Sequence, residues 1–294
     1  GSQTLGMGRM LYDTLPVFKE SFDGLCAVLD AHLERSLKDV VFADAGGEHA
    51  ALIDETAYTQ PALFALEVAL VDLWASYGVR PDWLMGHSIG ELAAAHVAGV
   101  FSLEDAAKLV CARGRLMQGC ESGGAMVSLS IGESEVRAEI EKESGRVDIA
   151  GLNGPAQTVI SGDEEAVLRV VASFDAKGIK TTRLTVSHAF HSPHMDSMLE
   201  EFREEAQGCR FNPAQIPMVS NVTGTKATDE ELMSADYWVR HVRSAVRFFD
   251  GIQTLWDEGV TTFVELGPRG VLSAMGAGCL PEDAKATFVP SIRK

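Results

Sequence analysis

Ser88 stands in Gly86-His87-Ser88-Ile89-Gly90, a Gly-x-Ser-x-Gly pattern, with apolar Trp83-Leu84-Met85 before it and an Ala-rich run at 91–96 after it. A hydroxyl at the tip of a tight strand-to-helix turn is open to a substrate, because flanking glycines without Cβ let strand and helix pack closely. The helix that follows aims free N–H groups and its positive dipole end at the place where an oxyanion would form. The pattern reads as a nucleophilic serine, against the alternative of an ordinary strand–helix turn. Such a serine needs a base. His188, His191 and His194 crowd one short stretch. Their spacing invites a metal, but Phe190 and Pro193 intervene and no acidic ligand pattern joins them, so no metal is expected. A catalytic base in this stretch and plain surface histidines are the two readings left. Arg113 also reads two ways: a bidentate clamp for a substrate carboxylate, which lysine could not replace geometrically, or a solvated helix face beside Arg115. Gln60 could touch a ligand or face water. His87 could orient the turn, and Glu91 suits the dipole of a first helical turn.

The elements that must position these residues follow from periodicity and breakers. Residues 8–36 are helical in pattern, with Pro16 dividing a short helix from a longer one. A polar loop at 43–58 precedes a strong helix over 59–77 with Pro61 in its first turn. Gly78 ends it, and the serine turn follows, as in an open α/β sheet with ligands at the C-terminal ends of its strands. A helix over 103–117 carries Arg113. Beyond Gly123-Gly124 the rhythm becomes strand 125–130, helix 133–142, strands 147–152 and 157–161, helix 164–174 and strand 180–186. This β-α-β-β-α-β order is the ferredoxin-like split pattern. The expected organisation is thus α/β: an α/β-hydrolase-like parallel-sheet core of residues 1–124 and 188–294, with an inserted ferredoxin-like subdomain at 125–187. The base-bearing loop directly after the insertion suits a cleft between the two. Later elements are a helix over 198–206, a strand over 217–220, helices at 237–242 and 247–258, a strand over 262–265 and a helix from Val271.

Size and composition bound the class. The chain has 294 residues, 46% apolar and 23% charged, which suits a globular protein with a sizeable core. No apolar run approaches the ~20 residues of a membrane span. A net charge of −17 argues against nucleic acid or an anionic membrane as main partner. Five cysteines without a CxxC pair indicate neither a zinc site nor a disulfide framework, and a reducing cytoplasm is the expected setting. The abrupt ends, Gly-Ser-Gln and Ile-Arg-Lys, suggest a piece of a longer chain.

Six stretches in order carry a wider resemblance: Tyr58-Thr59-Gln60-Pro61-Ala62-Leu63, Gly86-His87-Ser88-Ile89-Gly90-Glu91, Arg113 within Ala-Arg-Gly-Arg-Leu-Met-Gln, Asn153-Gly154-Pro155, His188-Ala189-Phe190-His191-Ser192 and Glu265-Leu266-Gly267-Pro268. Together they resemble the acyltransferase domain of modular polyketide synthases, kin of malonyl-CoA:acyl carrier protein transacylases, over essentially the whole chain. The resemblance implies Ser88 as nucleophile and His191 as its general base, in a dyad whose imidazole is held by a backbone carbonyl, here matched to His241. It implies Arg113 on the free carboxylate of the extender unit, with Gln60, Asn153, Phe190, His87 and His188 around the substrate. The oxyanion donors would be the N–H of Ile89 and one from a Gly-Gln-Gly-Ser-Gln motif, inside which this sequence begins at Gly1-Ser2-Gln3. The closing stretch from Phe288 to Lys294 is similar to the start of the linker after such a domain.

The implied chemistry is ping-pong transfer of an acyl group from CoA to Ser88 and on to the phosphopantetheine thiol of an acyl carrier protein, with no permanently bound cofactor. Neighbouring ketosynthase and linker domains are the implied partners. His188-Ala189-Phe190-His191 resembles the malonyl-selecting version, whereas methylmalonyl domains tend to carry Tyr-Ala-Ser-His, so malonyl-CoA is the expected donor and methylmalonyl the alternative. A serine hydrolase using water, and a docking module without catalysis, are the other readings. Because both this chain and carrier proteins are acidic, docking is expected through a local basic area at Arg240, Arg243 and Arg247.

Overall fold

The computed structural model describes residues 2–293; Gly1 of the opening motif and Lys294 of the closing stretch lie outside the described residues. The longest helix, Thr56–Ser76, is apolar on nearly every side and lies in the middle of the larger core, packed against helices Pro16–Leu29 and Leu103–Gln118. It begins three residues before the expected start, which places Pro61 inside it rather than in the first turn. The extra turn forms because its N–H groups find acceptors: Ala57 donates to Gln118 Oε1 at 2.9 Å, and Tyr58 and Thr59 donate to the Glu55 carbonyl. Pro61 then forfeits one helical bond in a segment held by its surroundings.

Eight strands are described: β1 (Leu84–Met85), β2 (Gly124–Leu129), β3 (Val147–Gly154), β4 (Gln157–Asp163), β5 (Thr181–Arg183), β6 (Met218–Val219), β7 (Thr262–Glu265) and β8 (Thr287–Pro290). Two parallel pairs, β1 with β6 and β7 with β8, belong to the larger α/β unit. β8 falls on the stretch expected to open a linker; it pairs in register with β7, and the rings of Phe263 and Phe288 stack at 4.5 Å. The inserted sheet is antiparallel in the order β3-β4-β2-β5, the ferredoxin-like arrangement. Alternation divides its faces. Ala125, Val127 and Leu129 join Val136, Val167, Val170 and Phe174 under the helices Glu133–Ile140 and Glu164–Asp175. Met126, on the opposite face, packs with Ala150, Val159 and Phe190 of the histidine stretch.

The two units are stitched along the free edge of β3. Val246 donates to the Ala150 carbonyl and accepts from the Leu152 N–H, both at 2.9 Å, so the 244–248 segment extends the inserted sheet. Arg243 pairs with Asp148 on β3 and with Asp196, and Arg247 pairs with Glu133 and Asp250. Two of the three arginines expected to form an open basic patch are therefore already neutralised within the chain.

Candidate active site

The chain leaves β1 through Gly86-His87-Ser88-Ile89 and enters the helix Gly90–Val97. A Cβ on Gly86 would lie 2.1 Å from the Gly90 carbonyl carbon and the Glu91 nitrogen, so only glycine fits this close crossing. Ser88 adopts φ 54°, the left-handed region that a residue with a side chain rarely occupies. Its own N–H donates to Asn221 Oδ1 at 2.8 Å. The N–H of Ile89 has no hydrogen-bond partner among the described residues, so it is the free donor at the helix N-terminus beside the serine.

Ser88 Oγ lies 2.9 Å from His191 Nε2. His191 is buried and also has a left-handed backbone, φ 56°. Ser192 holds the turn behind it, donating its hydroxyl to the Ala189 carbonyl at 2.6 Å and capping the following short helix at His194 N. Burial keeps the His191 imidazole well below the usual histidine range, with the positive charge of Arg113 adding to the effect. The imidazole is thus neutral at pH 7 and able to accept a proton. The backbone carbonyl that acts on its ring is that of Ser244, not the expected His241, in a contact too loose to count as a formed hydrogen bond. The reason is where the helix ends. Ser244 follows the last turn of the helix Ala235–Arg243 in an extended conformation, so its carbonyl leaves the helical ladder. The His241 side chain instead lies 3.4 Å from Glu91 Oε2, behind the turn.

Arg113 projects from the helix Leu103–Gln118 and is only 1% exposed. Nη1 donates to Gln60 Oε1 at 2.7 Å and Nη2 donates to Ser88 Oγ at 3.1 Å, while Nε is buried without a partner. No carboxylate pairs with this guanidinium among the described residues. Desolvation lowers it to about 10, partly countered by Glu91, so it stays charged at pH 7. A buried guanidinium without a carboxylate partner, with Nε free and Nη2 on a serine hydroxyl, is a ready receptor for an anion.

The remaining expected residues divide. His87 Nε2 meets Asn153 Oδ1 at 3.0 Å, linking the serine turn to β3, and its ring lies 5.5 Å from that of Phe248. Phe190 sits half-buried between the main core and the inserted sheet. His188 is turned elsewhere: Nδ1 meets Ser187 Oγ at 3.0 Å, and the backbone of Cys120 and Gln118 acts on its ring. His194 is engaged with Asp163 at 2.7 Å, and no group of three or more His, Cys, Asp or Glu side chains placed to hold a metal occurs among the described residues.

Sequence reasoning passed over the layer behind the serine. Asn221 donates Nδ2 to the Gly86 carbonyl at 2.9 Å as well as accepting from Ser88. The buried Glu91 accepts from the Asn221 N–H at 2.8 Å and from the Tyr237 hydroxyl, which also meets Ser220 Oγ. A polar Ser220-Asn221 directly after β6 was the available signal, since β6 pairs in parallel with the strand that delivers the serine.

A family model described as "Acyl transferase domain" matches residues 1–294. The chain is 56% identical to the polyketide synthase GfsA of Streptomyces halstedii over 296 residues, covering 100% of this chain and 4% of that protein. Among solved structures, the acyltransferase domain from the second module of the salinomycin polyketide synthase matches with a TM-score of 0.94 and 50% identity, covering 100% of this chain and 67% of that one. The crystal structure of MCAT from Streptococcus pneumoniae matches with a TM-score of 0.90 and 31% identity, covering 100% of this chain and 94% of that one.

Proposed function

This chain belongs to the acyl transferase domain family, as its relatives in polyketide synthases do, and from that membership we propose that it moves a malonyl group from CoA to a carrier-protein thiol through an acyl-Ser88 ester. One observation carries the choice of substrate class: the buried, carboxylate-free Arg113 donating to Ser88 Oγ. His191 takes the Ser88 proton as the oxygen attacks the thioester carbonyl, and the Ile89 N–H stabilises the oxyanion. CoA leaves as its thiol after collapse of the tetrahedral intermediate. The phosphopantetheine thiol of an acyl carrier protein then attacks the ester, with His191 accepting its proton and returning one to Ser88. The free carboxylate of the extender sits on Nη2 and Nε of Arg113, held in orientation by Gln60. An acyl group without that carboxylate leaves the charge unpaired, which disfavours it by several kcal/mol.

Phe190 is the proposed gate that selects malonyl over methylmalonyl, filling the space an α-methyl would need. His87 with Asn153 shapes the wall on the side of β3. The carrier protein and the neighbouring domains of a larger synthase are the proposed partners, in keeping with the small share of the relative's length that this chain spans.

Incubation with malonyl-CoA and with methylmalonyl-CoA, followed by intact-protein mass measurement, tests the reading. A malonyl adduct that disappears in Ser88→Ala supports it. Free CoA accumulating without carrier and without adduct would establish hydrolysis instead, and no reaction with either donor would sink it.

A further inference from the structure

We infer that Asn221 is a positioning residue that locks the nucleophile turn, acting through both peptides that flank His87, the residue before Ser88; the inference rests on the reading of Ser88 as the nucleophile. The side-chain amide is 1% exposed as part of its residue and spends both of its functions on one turn. Oδ1 accepts from the Ser88 N–H at 2.8 Å, and Nδ2 donates to the Gly86 carbonyl at 2.9 Å. Those two groups bracket His87 and fix the peptide that leads into the left-handed Ser88, a conformation that persists only where its surroundings over-determine it.

The backbone of Asn221 is held as firmly as its side chain. Its N–H donates to Glu91 Oε2 at 2.8 Å, and its carbonyl accepts from the Arg247 N–H at 2.9 Å. Glu91 lies in the first turn of the helix that follows Ser88, and Arg247 is three residues beyond Ser244, whose carbonyl acts on His191. Asn221 thus ties the nucleophile turn to its helix and to the segment that faces the base. It also consumes the Ser88 N–H, which leaves Ile89 as the donor available to an oxyanion on this side. Neither leucine nor an ionised aspartate supplies this pair: leucine has neither function, and the carboxylate accepts from Ser88 but repels the Gly86 carbonyl.

Two variants test the assignment. In Asn221→Ala, single-turnover acylation of Ser88 by malonyl-CoA should slow by about 100-fold with KM changed less than about threefold, the signature of a displaced reacting atom rather than lost substrate contact. In Asn221→Asp, the protonated acid can still donate to Gly86, so acylation relative to the wild type at the same pH should recover as pH falls and drop as pH rises, a basic limb that the wild type lacks. Hydrogen exchange at the Ser88 amide, measured without substrate, should be slow in the wild type and at least tenfold faster in Asn221→Ala; should that variant not fold, the pH profile of Asn221→Asp decides alone. Wild-type acylation kinetics in Asn221→Ala, an Asp profile parallel to the wild type, or an unprotected Ser88 amide in the wild type would overturn the inference. If the wild type forms no adduct, the proposed function fails, while the exchange measurement still judges Asn221.

Discussion

Ser88 Oγ and His191 Nε2 are 2.9 Å apart, and both residues are held in left-handed backbone conformations, φ 54° and φ 56°. Such backbones cost roughly 1–3 kcal/mol each and survive where neighbouring contacts fix them. Here the fixing contacts are Asn221 and Gly86 on one side and Ser192 on the other. The tight turns lift the two reacting groups toward each other while keeping their backbones clear of the space between.

Arg113→Ala should lower kcat/KM for malonyl-CoA by about 100-fold or more, in line with the ~3–5 kcal/mol lost when one partner of a buried ion pair is removed. Acetyl-CoA, which has no carboxylate, should lose no activity and could gain some. Arg113→Lys should rescue little, because an ammonium cannot reproduce the two-pronged donor set. Equal losses with both donors would remove Arg113 from carboxylate recognition.

The pH dependence follows from the neutral base. Because the His191 imidazole is held well below 6.5, acylation should be flat between pH 8 and 6.5 and decline only at lower pH, as the imidazole protonates. Arg113 is one cause of that depression, so Arg113→Gln, assayed with a neutral donor, should move the acid limb to higher pH. The same shift bears on stability. Below 6.5 the unfolded chain binds a proton that folded His191 does not, so the urea midpoint should fall as pH drops through that range.

Phe190→Ser should relax the choice between extender units. One methyl group in a pocket is worth about 1–3 kcal/mol, so a malonyl preference of about 10–200-fold should shrink toward unity in competition assays read by adduct mass. An unchanged product ratio would clear Phe190 of the gating role.

The two glycines of the serine turn should behave oppositely. Gly86→Ala places a Cβ 2.1 Å from backbone atoms of Gly90 and Glu91, so it should abolish Ser88 acylation and lower Tm sharply. At Gly90 the added Cβ meets only the Glu67 carboxylate, at 3.6 and 3.9 Å, ordinary contact, and alanine favours a helix by up to ~1 kcal/mol over glycine. Gly90→Ala should therefore keep its fold and most of its Tm, which thermal unfolding of the two variants will check.

Arg243→Glu should act on stability. Its two partially exposed pairs, to Asp148 and Asp196, are worth about 0.2–1 kcal/mol each, and reversal adds repulsion. A lowered Tm that recovers in high salt, with unchanged transfer to a carrier protein, is the expected result. A large loss in carrier kinetics at unchanged Tm would restore the basic patch as a docking site.

Local rules made much of this molecule legible from its sequence. The serine turn is set by glycine sterics and by a strand and helix only a few residues long, so Gly86-His87-Ser88-Ile89-Gly90 declared itself. The inserted βαββαβ unit did so through its periodicity, and its observed strands depart from the expected ones by a few residues at most ends. Long-range convergence was not written locally. His191 reaches Ser88 across 103 residues, and Asn221 does so across 133, the latter because parallel strands β1 and β6 bring their C-terminal ends together. Whether Arg113 was solvated or buried, and whether Arg243 was free or paired, depended on which neighbours packed over each one. The base-facing carbonyl moved from His241 to Ser244 for the same reason: where a helix ends, and which way its last free carbonyl points, is decided by what the next segment pairs with, here the open edge of β3.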